Sequence, residues 1–279
     1  MQLSTIIVNN NQCRPLRQAL AALKQAVLHL ESEVIVVDNA SDDLSLRMLR
    51  AEFPLVNVIA NDKQESFSKA VNRGIAVAKG DYILILDASV IVGDETLEKL
   101  HEFMELHTDT GGLSVRMLDA GGCFIEGSNK NMPPEWVKFF RVSGLSRLFS
   151  KSRLFSPHYH SGWVEEFENT ETDVLNNSFM LLRKSVLSEV GVIDERFKTY
   201  GHDIDLSYRI RLAGFKNYYY AKTFVIQQGI PTINKLSWNY IKNFYGAMVT
   251  FAVKYLFRLP ELRLKAMPGW SSPAYELKQ

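Results

Sequence analysis

The chain has 279 residues, 46% of them apolar, and its 32 Lys and Arg nearly balance 31 Asp and Glu, leaving a formal net charge of +1. This length suits one large α/β domain, or one domain with an appendage, and the near-neutral charge excludes a global attraction to nucleic acid. Because the sequence shows neither a signal peptide nor about 18 consecutive apolar residues, we expect a cytoplasmic protein without a spanning helix. The two cysteines, Cys13 and Cys123, lack metal-ligand spacing, which disfavours a disulfide framework or a cysteine zinc site.

The first part of the chain alternates between strand-like and helix-like patterns. Strands are predicted at 4–8, 33–37, 56–60 and 82–86. Helices are predicted from near Pro15 to Leu30, from Phe67 until Gly80, and after Asp94. The run 82–86 is almost entirely apolar, as expected of a strand that is covered on both faces of a parallel sheet. This alternation predicts right-handed βαβ units and a doubly wound, mostly parallel sheet flanked by helices.

The second half of the chain is less regular. Residues 111–165 are rich in Gly, Ser and aromatics, which predicts loops and short strands, and 136–163 contains five basic and no acidic residues. Further strands are predicted at 179–183 and 217–226, and helices at 184–190 and 203–213, each helix stopped by a glycine. From Pro231 the chain has seven basic residues against two acidic ones, with aromatics interleaved. We therefore expect a nucleotide-binding and catalytic domain over 1–230 and a basic, aromatic, helical extension over 231–279.

Polar clusters follow three of the predicted strands. The first strand runs into Asn9 and Asn11, the second into Asp38, and the apolar strand into Asp87 and Ser89. In an open parallel sheet, ligands bind beyond the carboxyl ends of the strands, so one crevice would collect all three clusters. Strand termination or helix capping is the alternative at any single position. The glycine patterns of a dinucleotide site and of a P-loop are both missing from the sequence.

An ordered set of motifs carries a more specific resemblance. The motifs are Val8–Asn11, Val36–Asp42, Phe67–Gly74, Gly80–Asp87, Asp173–Leu175 with Phe179–Arg183, Asp194–Phe197, and Tyr200–Leu206 with Arg209. In this order they resemble family 2 glycosyltransferases with the GT-A fold, closest to the bacterial rhamnosyltransferase-like branch, over roughly residues 3–229. The resemblance implies inverting transfer of a sugar from a UDP- or dTDP-type donor to a hydroxyl acceptor, in assembly of a cell-surface polysaccharide.

The resemblance also implies roles for individual residues. Asp203 corresponds to the general base, and its expected place at a helix N-terminus stabilises negative charge, although an N-cap is the alternative. Asp38 would hydrogen-bond the nucleobase, and Asp87 would lie against the ribose and diphosphate. The full nucleotide-binding set is Asn9, Asn11, Asp38, Asn72 and Asp87. Asp205 and Arg209 are spaced i, i+4, and we interpret them as a surface salt bridge.

Four positions depart from the family pattern, one of them being Ser66, which replaces a Gly of the helix ahead of Asn72. Ser89 and Gln227 stand where the family usually has an Asp and a His that ligate a metal, and His202 replaces the Glu before the catalytic Asp. Hard cations prefer carboxylate oxygens, so no metal ligand is assigned with certainty to the diphosphate vicinity of Asp87, Ser89, His202 and Gln227. Three alternatives follow: Mg²⁺ or Mn²⁺ held mainly by the donor diphosphate, a cationic side chain in its place (His202 or one from the basic segment 138–153), or a catalytically degenerate nucleotide-sugar binder or scaffold.

The extension leaves two interpretations open. Residues 244–257 are too short to span a bilayer, but they could lie in its interface with nearby lysines and arginines meeting anionic headgroups. Those basic residues are Lys242, Lys254, Arg258, Arg263 and Lys265. Alternatively, the aromatics pack on the catalytic domain or on a second copy in a homo-oligomer. Since lipid-linked glycan acceptors are common in the family, we expect peripheral contact with the inner face of the cytoplasmic membrane, and no nucleic-acid partner.

Overall fold

The computed structural model describes residues 1–125, 128, 134–142, 167–229 and 237–256. The strands in these ranges are β1 Leu3–Asn9, β2 Ser32–Asp38, β3 Asn57–Ala60, β4 Tyr82–Asp87, β5 Val90–Val92, β6 Thr110–Asp119, β7 Thr170–Glu171, β8 Phe179–Arg183 and β9 Lys216–Gln227. The helices are α1 Cys13–Ala26, α2 Ser45–Glu52, α3 Phe67–Val77, α4 Thr96–Leu106, α5 Pro134–Val142, α6 Lys184–Val190, α7 His202–Leu212 and α8 Trp238–Leu256.

The strands form one mixed sheet in the order β3-β2-β1-β4-β8-β6-β9-β5, with β7 added on β9. The first four of these strands are parallel, whereas β8 runs antiparallel to both β4 and β6. The carboxyl ends of β1, β2 and β4 therefore meet at one edge, where Asn9 is opposite Asp38 and Val8 is opposite Asp87. The predicted α/β sheet flanked by helices is confirmed, but its parallel half ends at β4.

Helices cover both faces of the sheet. The apolar sides of α1, α2 and α4 pack on one face, and those of α3, α6 and α7 pack on the other. Helix α3 approaches β1 closely at Gly74, where an added Cβ would lie 2.5 Å from Ile6 Cγ2. Glycine is therefore required at this position to bring the start of α3 close to the carboxyl edge of the sheet.

Helix α8 adds a third layer outside α7. Its buried residues Phe244, Met248, Phe251 and Tyr255 form an apolar cluster with side chains of α5 and α7, including Trp136. This arrangement agrees with the packing alternative for the tail aromatics. None of the described helices has the length and apolar character that a bilayer span requires.

The outer layer also overturns one prediction. Asp205 has no exposed surface, and its partner Arg209 is only 14% exposed, so the i, i+4 pair is not a surface salt bridge. Because α7 lies between the sheet and α8, both of its sides are buried. The sequence of α7 alone gives no sign of this second covering layer.

The middle of the chain differs most from the sequence prediction. Loops and short strands were expected from 111 onward, but β6 continues for ten residues, from Thr110 to Asp119. Its glycines serve close packing rather than a loop, because a Cβ at Gly111 would lie 2.5 Å from Ile210 Cγ2 of α7. Helix α2 was also missed, and α1 ends at Ala26 instead of near Leu30. The basic residues Arg147, Lys151, Arg153, Arg258, Arg263 and Lys265 lie outside the described residues.

Candidate functional site

A cavity of about 440 Å³ opens at the carboxyl edge of β1, β2 and β4. Its polar lining residues include Asn10, Gln12, Asn39 and Gln64, the acidic Glu65 and Asp87, and the basic Lys198. Phe67, at the start of α3, adds an aromatic ring, and Asn243 of α8 contributes from the outer layer. The cavity thus has the size, the position and the polar lining of a site for a charged small molecule.

Asn9 and Asp38 lie just behind the wall of this cavity. Both side chains are buried, and Asn9 Nδ2 donates to Asp38 Oδ1 at 2.8 Å and to Ser41 Oγ at 3.1 Å. The backbone N–H of Ser41 donates to the other Asp38 oxygen at 3.0 Å. The neighbouring residues Asn10 and Asn39 line the cavity instead. The predicted pair is therefore brought together, with its described contacts holding the loops after β1 and β2 against each other.

Asn11 also joins these two loops. It has a left-handed backbone (φ 55°), which asparagine tolerates better than most residues, and its Oδ1 accepts hydrogen bonds from the N–H groups of Asp42 and Asp43 at 2.8 and 3.3 Å. Ala40 adopts the same conformation (φ 57°), which strains an alanine. Strained backbone is often found where a loop must be held in one shape for binding.

The opposite wall is organised by Asn39. Its Nδ2 donates to the carbonyl of Glu65 at 2.9 Å, and its Oδ1 accepts from the Glu65 N–H at 2.9 Å and from Asn61 Nδ2 at 3.0 Å. The Glu65 carboxylate pairs with Lys69 at 2.7 Å and with Arg73 at 3.0 Å. The hydrogen bond from Lys69 lowers the pKa of Glu65. The negative charge of Glu65 in the cavity wall is therefore already balanced by Lys69 and Arg73.

Two of the departures from the family pattern are neighbours in space. Asp87 Oδ1 accepts hydrogen bonds from the N–H and the Oγ of Ser89, at 2.8 and 2.6 Å. The carbonyl of Ser89 in turn accepts from the N–H of Gln228 at 2.8 Å, and Gln227 pairs with Val90 across β9 and β5. The two positions where the family carries metal ligands, Ser89 and Gln227, are therefore close together. Ser89 also donates hydrogen bonds to one oxygen of Asp87, the carboxylate that remains.

The described residues do not form a preformed metal site. Within these ranges, no three His, Cys, Asp or Glu side chains are grouped so that they could hold an ion. His202 is buried on α7, with its ring centroid 5.0 Å from that of Phe67. Its ring is tilted by 41° against that of Phe67, which lines the cavity, and His202 is not itself among the lining residues. Of the predicted diphosphate vicinity, Asp87 alone lines the cavity among the described residues.

Asn72 connects α3 to the loop that precedes α7. Its Nδ2 donates to the carbonyl of Ile193 at 2.8 Å and to Glu195 Oε1 at 3.1 Å, and its Oδ1 accepts from the Ile193 N–H at 3.2 Å. Ser68 Oγ donates to the carbonyl of Phe197 in the same loop. These contacts give Asn72 a positioning role for the loop that carries Lys198 to the cavity.

Asp203 lies in the first turn of α7, as the sequence predicts. The N-cap residue Gly201 has a left-handed backbone (φ 82°), and an added Cβ there would lie 3.1 Å from the Trp136 ring. Asp203 is buried, and its Oδ1 accepts from the N–H of Ile204 at 3.0 Å. Within the described residues, Asp203 is separate from the cavity lining.

Sequence reasoning missed several residues of the cavity. Lys198 directly follows the motif Asp194–Phe197, and a lysine adjoining one of the motifs that carry the family resemblance is a signal that could have identified it. Gln64 precedes α3 in a predicted loop and carries no comparable signal. Asn243 reaches the cavity only because α8 folds back over α7, which requires knowledge of the tertiary packing.

Comparisons with known proteins agree with this geometry. The chain is 31% identical over 112 residues to a dolichol-phosphate mannosyltransferase of Pyrococcus furiosus, covering 39% of this chain and 32% of the relative. It is 25% identical over 264 residues to the succinoglycan biosynthesis protein ExoA of Rhizobium meliloti, covering 93% and 70%. It is also 25% identical over 217 residues to an N-acetylglucosaminyl-diphospho-decaprenol L-rhamnosyltransferase of Mycobacterium tuberculosis, covering 73% and 68%. The chain thus spans between about a third and 70% of the length of these relatives.

Solved structures share the fold at lower sequence identity. TarS residues 1–349 of S. aureus in complex with UDP-GlcNAc match with a TM-score of 0.63 and 17% identity, over 92% of this chain and 67% of that one. GalNAc-T7 with UDP, GalNAc and Mn²⁺ matches with a TM-score of 0.59 and 16% identity, over 88% and 48%. These likenesses confirm the GT-A fold. The sequence profile of Glycosyl transferase family 2 matches residues 4–190, two thirds of the chain, and the protein therefore belongs to that family.

Proposed function

We propose that the protein is an inverting glycosyltransferase that moves a sugar from a UDP- or dTDP-sugar to a hydroxyl acceptor in cell-surface polysaccharide assembly. The observation that carries this proposal is the polar cavity of about 440 Å³ at the carboxyl edge of β1, β2 and β4, in a chain of glycosyl transferase family 2. A relative named for succinoglycan biosynthesis and a decaprenol-linked rhamnosyltransferase support the pathway class. The UDP-GlcNAc complex of TarS supports the donor class.

In the proposed reaction, Asp203 is the general base. Its carboxylate takes the proton of the acceptor hydroxyl while the acceptor oxygen bonds to the anomeric carbon of the donor sugar. The bond from that carbon to the diphosphate breaks on the opposite face, and the nucleoside diphosphate leaves with the electron pair, so the configuration inverts. The place of Asp203 in the first turn of α7 supports this role, because the positive end of the helix dipole stabilises a carboxylate.

In this proposal, one of the strand-end residues contacts the donor directly and the others hold the wall of the nucleotide site. Asp87 faces the donor directly, since it lines the cavity at the end of β4. Asn9, Asn11 and Asp38 form the hydrogen-bonded base of the wall, with the Asp38 carboxylate next to the nucleobase. Asn72 acts from α3 on the loop that carries Lys198. A thermal-shift panel of UDP- and dTDP-sugars tests the donor assignment, because a bound nucleotide stabilises the folded state by mass action.

A divalent ion would find few protein ligands in this site. Asp87 is the remaining carboxylate at the family positions, and Ser89 already donates to one of its oxygens. We therefore propose that any Mg²⁺ or Mn²⁺ arrives with the donor, whose diphosphate oxygens supply most of its coordination. Donor binding measured in EDTA and in millimolar Mg²⁺ tests this directly.

The membrane contact remains a proposal that concerns the outer side of α8. Phe244 and Phe251 are buried in the domain and cannot enter a bilayer, but an outward row on the same helix is exposed. This row consists of Trp238, Tyr245, Val249 and Val253, with the exposed Lys242 on the same side. Apolar and aromatic residues beside a lysine suit the interface of an anionic bilayer. Co-sedimentation with phosphatidylglycerol vesicles should fall for Val249→Ser and be unchanged for Leu55→Ser, an exposed residue outside α8.

The rival function is a nucleotide-sugar binder or scaffold that has lost its activity. The departures at Ser89, His202 and Gln227 favour this rival, whereas the retained Asp203 favours the enzyme. Transfer of radiolabelled sugar from the donor found by thermal shift to lipid-linked or oligosaccharide acceptors separates the two. Donor binding without any transfer above the level of Asp203→Asn would select the scaffold.

A further inference from the structure

We propose that Lys198 binds the diphosphate of the donor and supplies the positive charge that a metal ion would otherwise supply. This inference rests on the proposed function, since it requires a nucleoside diphosphate in the cavity. Lys198 lies on the loop between α6 and α7 and lines the same cavity as Asp87. A lysine at this place is consistent with the finding that the described residues offer no group of side chains able to hold a metal ion.

Within the described part of the cavity lining, one cation is left uncommitted. Among the described residues that line the cavity, Lys198 is the only basic one, and it has no hydrogen bond or ion pair with another described residue. Three cations near the cavity but outside its lining are engaged with carboxylates: Lys69 and Arg73 pair with Glu65, and Arg196 pairs with Asp194. An incoming diphosphate would therefore meet Lys198 as an available ammonium group.

The backbone that carries Lys198 is held in place from two sides. Phe197 is buried, and its carbonyl accepts a hydrogen bond from Ser68 of α3. On the other side, the Phe197 N–H donates to the carbonyl of Asp194 at 3.0 Å, and Lys254 of α8 binds the Asp194 carboxylate at 2.8 Å. The loop is thus fixed relative to α3, whose first residue Phe67 lines the cavity. A fixed backbone reduces the conformational freedom that is lost when the ammonium group meets its ligand.

The chemistry of the reaction gives this ammonium group a specific task. When the glycosidic bond breaks, negative charge grows on the diphosphate oxygens, and a preorganised cation next to them stabilises the transition state. Lysine is a common phosphate ligand that acts as a point charge with three donors. Asp87 alone would repel the same diphosphate, so a counter-charge in this cavity is required if no ion is bound tightly by the protein.

The test compares Lys198→Met with Lys198→Arg and with Lys63→Met. Methionine keeps the length of the side chain without its charge, arginine keeps the charge, and Lys63 is an exposed neighbour outside the cavity lining. Calorimetry in EDTA would measure the affinity for UDP and dTDP, and for uridine and thymidine without phosphates. We expect Lys198→Met to weaken diphosphate binding about 10- to 150-fold and to leave nucleoside binding nearly unchanged. Lys198→Arg and Lys63→Met should remain within about 3-fold of the wild type.

Each other outcome has a distinct meaning. If the wild type binds neither diphosphate at millimolar concentration, either in EDTA or with added Mg²⁺ or Mn²⁺, the proposed function itself fails. If the wild type binds a diphosphate only when Mg²⁺ or Mn²⁺ is present, a metal supplies the charge and the role of Lys198 is wrong. The role is also wrong if Lys198→Met behaves like Lys63→Met, or if it loses nucleoside and diphosphate affinity equally, because the second result would indicate a damaged loop.

Discussion

Lys254 Nζ of α8 lies 2.6 Å from Oδ1 of Asp205, a fully buried carboxylate on α7. The same ammonium group binds Asp194 at 2.8 Å, and Asp205 also accepts from Arg209 at 2.9 Å and from the Tyr255 hydroxyl at 2.8 Å. Burial raises the pKa of Tyr255 well above its usual value, so this hydroxyl stays protonated and donates. Helix α8, which supplies Asn243 to the cavity, is therefore held on the domain by a buried ionic network as well as by its aromatics.

Removing one member of this network should be costly. In Lys254→Met, the buried Asp205 carboxylate loses its closest cation, and breaking a buried ion pair destabilises a protein by about 3 kcal/mol. We expect the melting temperature to fall by roughly 6–12 °C in calorimetry. The control Lys242→Met changes an exposed lysine on the same helix and should stay within about 0.5 kcal/mol of the wild type. Equal behaviour of the two variants would show that the network does not hold α8.

The network also predicts how stability depends on pH. Burial acts to raise the pKa of Asp194, but hydrogen bonds from Arg196 and Lys254 outweigh it and hold the pKa below its usual range. The folded state thus binds this proton less readily than the unfolded chain, whose aspartates titrate near pH 4. Its contribution to stability is complete above about pH 4 to 5 and is lost as the pH falls further.

Thermal unfolding between pH 7 and pH 3 tests whether the contribution of Asp194 to stability is lost as the pH falls. Asp194→Asn should be less stable than the wild type at pH 7, and the difference between the two should shrink as the pH falls below about 4. Asp62→Asn, which changes an exposed residue, is the control and should run parallel to the wild type throughout. A constant gap between wild type and Asp194→Asn across this range would contradict the assignment.

The sequence predicted the strands and helices that show a clear hydrophobic period, and it missed those whose residues are explained by packing against an element distant in the chain. The predicted ranges 179–183 and 184–190 coincide with β8 and α6, because a β-rich run and an apolar period are each bounded by a clear stop. In contrast, the glycines at the start of β6 suggested a loop, although they allow α7 to approach the strand. Local patterns report conformational preference, and they do not report which surface a distant helix will cover.

The candidate site shows the same division. A cavity does lie at the strand ends that the sequence singles out, and Asp87 lines it, because parallel strands bring their carboxyl ends together. Successive side chains at the end of a strand point in opposite directions, so Asn10 lines the cavity while Asn9 lies behind it. Knowing where the strand ends does not by itself tell which of the two residues faces the cavity. Asn243 depends on the folding back of α8, a tertiary relationship that no local pattern in the sequence reports.

The role of Asp203 as general base predicts a separation of turnover from binding. Asp203→Asn keeps the size and most hydrogen-bonding capacity of the side chain but removes the proton acceptor. Sugar transfer should fall by about 100-fold or more, while the donor dissociation constant changes by less than about 3-fold. Single-turnover kinetics and calorimetry on the same sample measure both quantities. A parallel loss of donor binding would instead identify Asp203 as a residue that caps α7.

Asp38→Ala should weaken nucleotide binding for two physical reasons. It removes a carboxylate that we place next to the nucleobase, which leaves an N–H of the bound base unpaired, and it frees the Asn9 amide and the Ser41 N–H that hold the wall in its binding shape. An unpaired polar group costs roughly 1–3 kcal/mol, which corresponds to about 5- to 150-fold in affinity. The loss should be the same for a nucleoside and for its diphosphate, because the change is at the base. Unchanged binding would place the nucleobase elsewhere.

The last prediction concerns the two missing metal ligands, which the structure places side by side. The carbonyl of Ser89 accepts from the Gln228 N–H, and Gln227 is paired with Val90 one residue further along β5. With Asp87 as the one charged ligand at the family positions, the wild type should show no tight Mn²⁺ binding without nucleotide.

Ser89→Asp together with Gln227→His would add a carboxylate and an imidazole beside Asp87, and both are favourable ligands for Mn²⁺. We expect calorimetry to detect a nucleotide-free Mn²⁺ site in the double variant, at least about 10-fold tighter than any in the wild type or in Ser89→Asp alone, since a single added ligand completes fewer coordination positions. The double variant should also lose much of its donor affinity in EDTA, whereas the wild type should show only a modest loss. A tight, stoichiometric Mn²⁺ site in the nucleotide-free wild type would mean that other residues hold the ion, and that serine and glutamine at these positions do not explain the loss of a metal site.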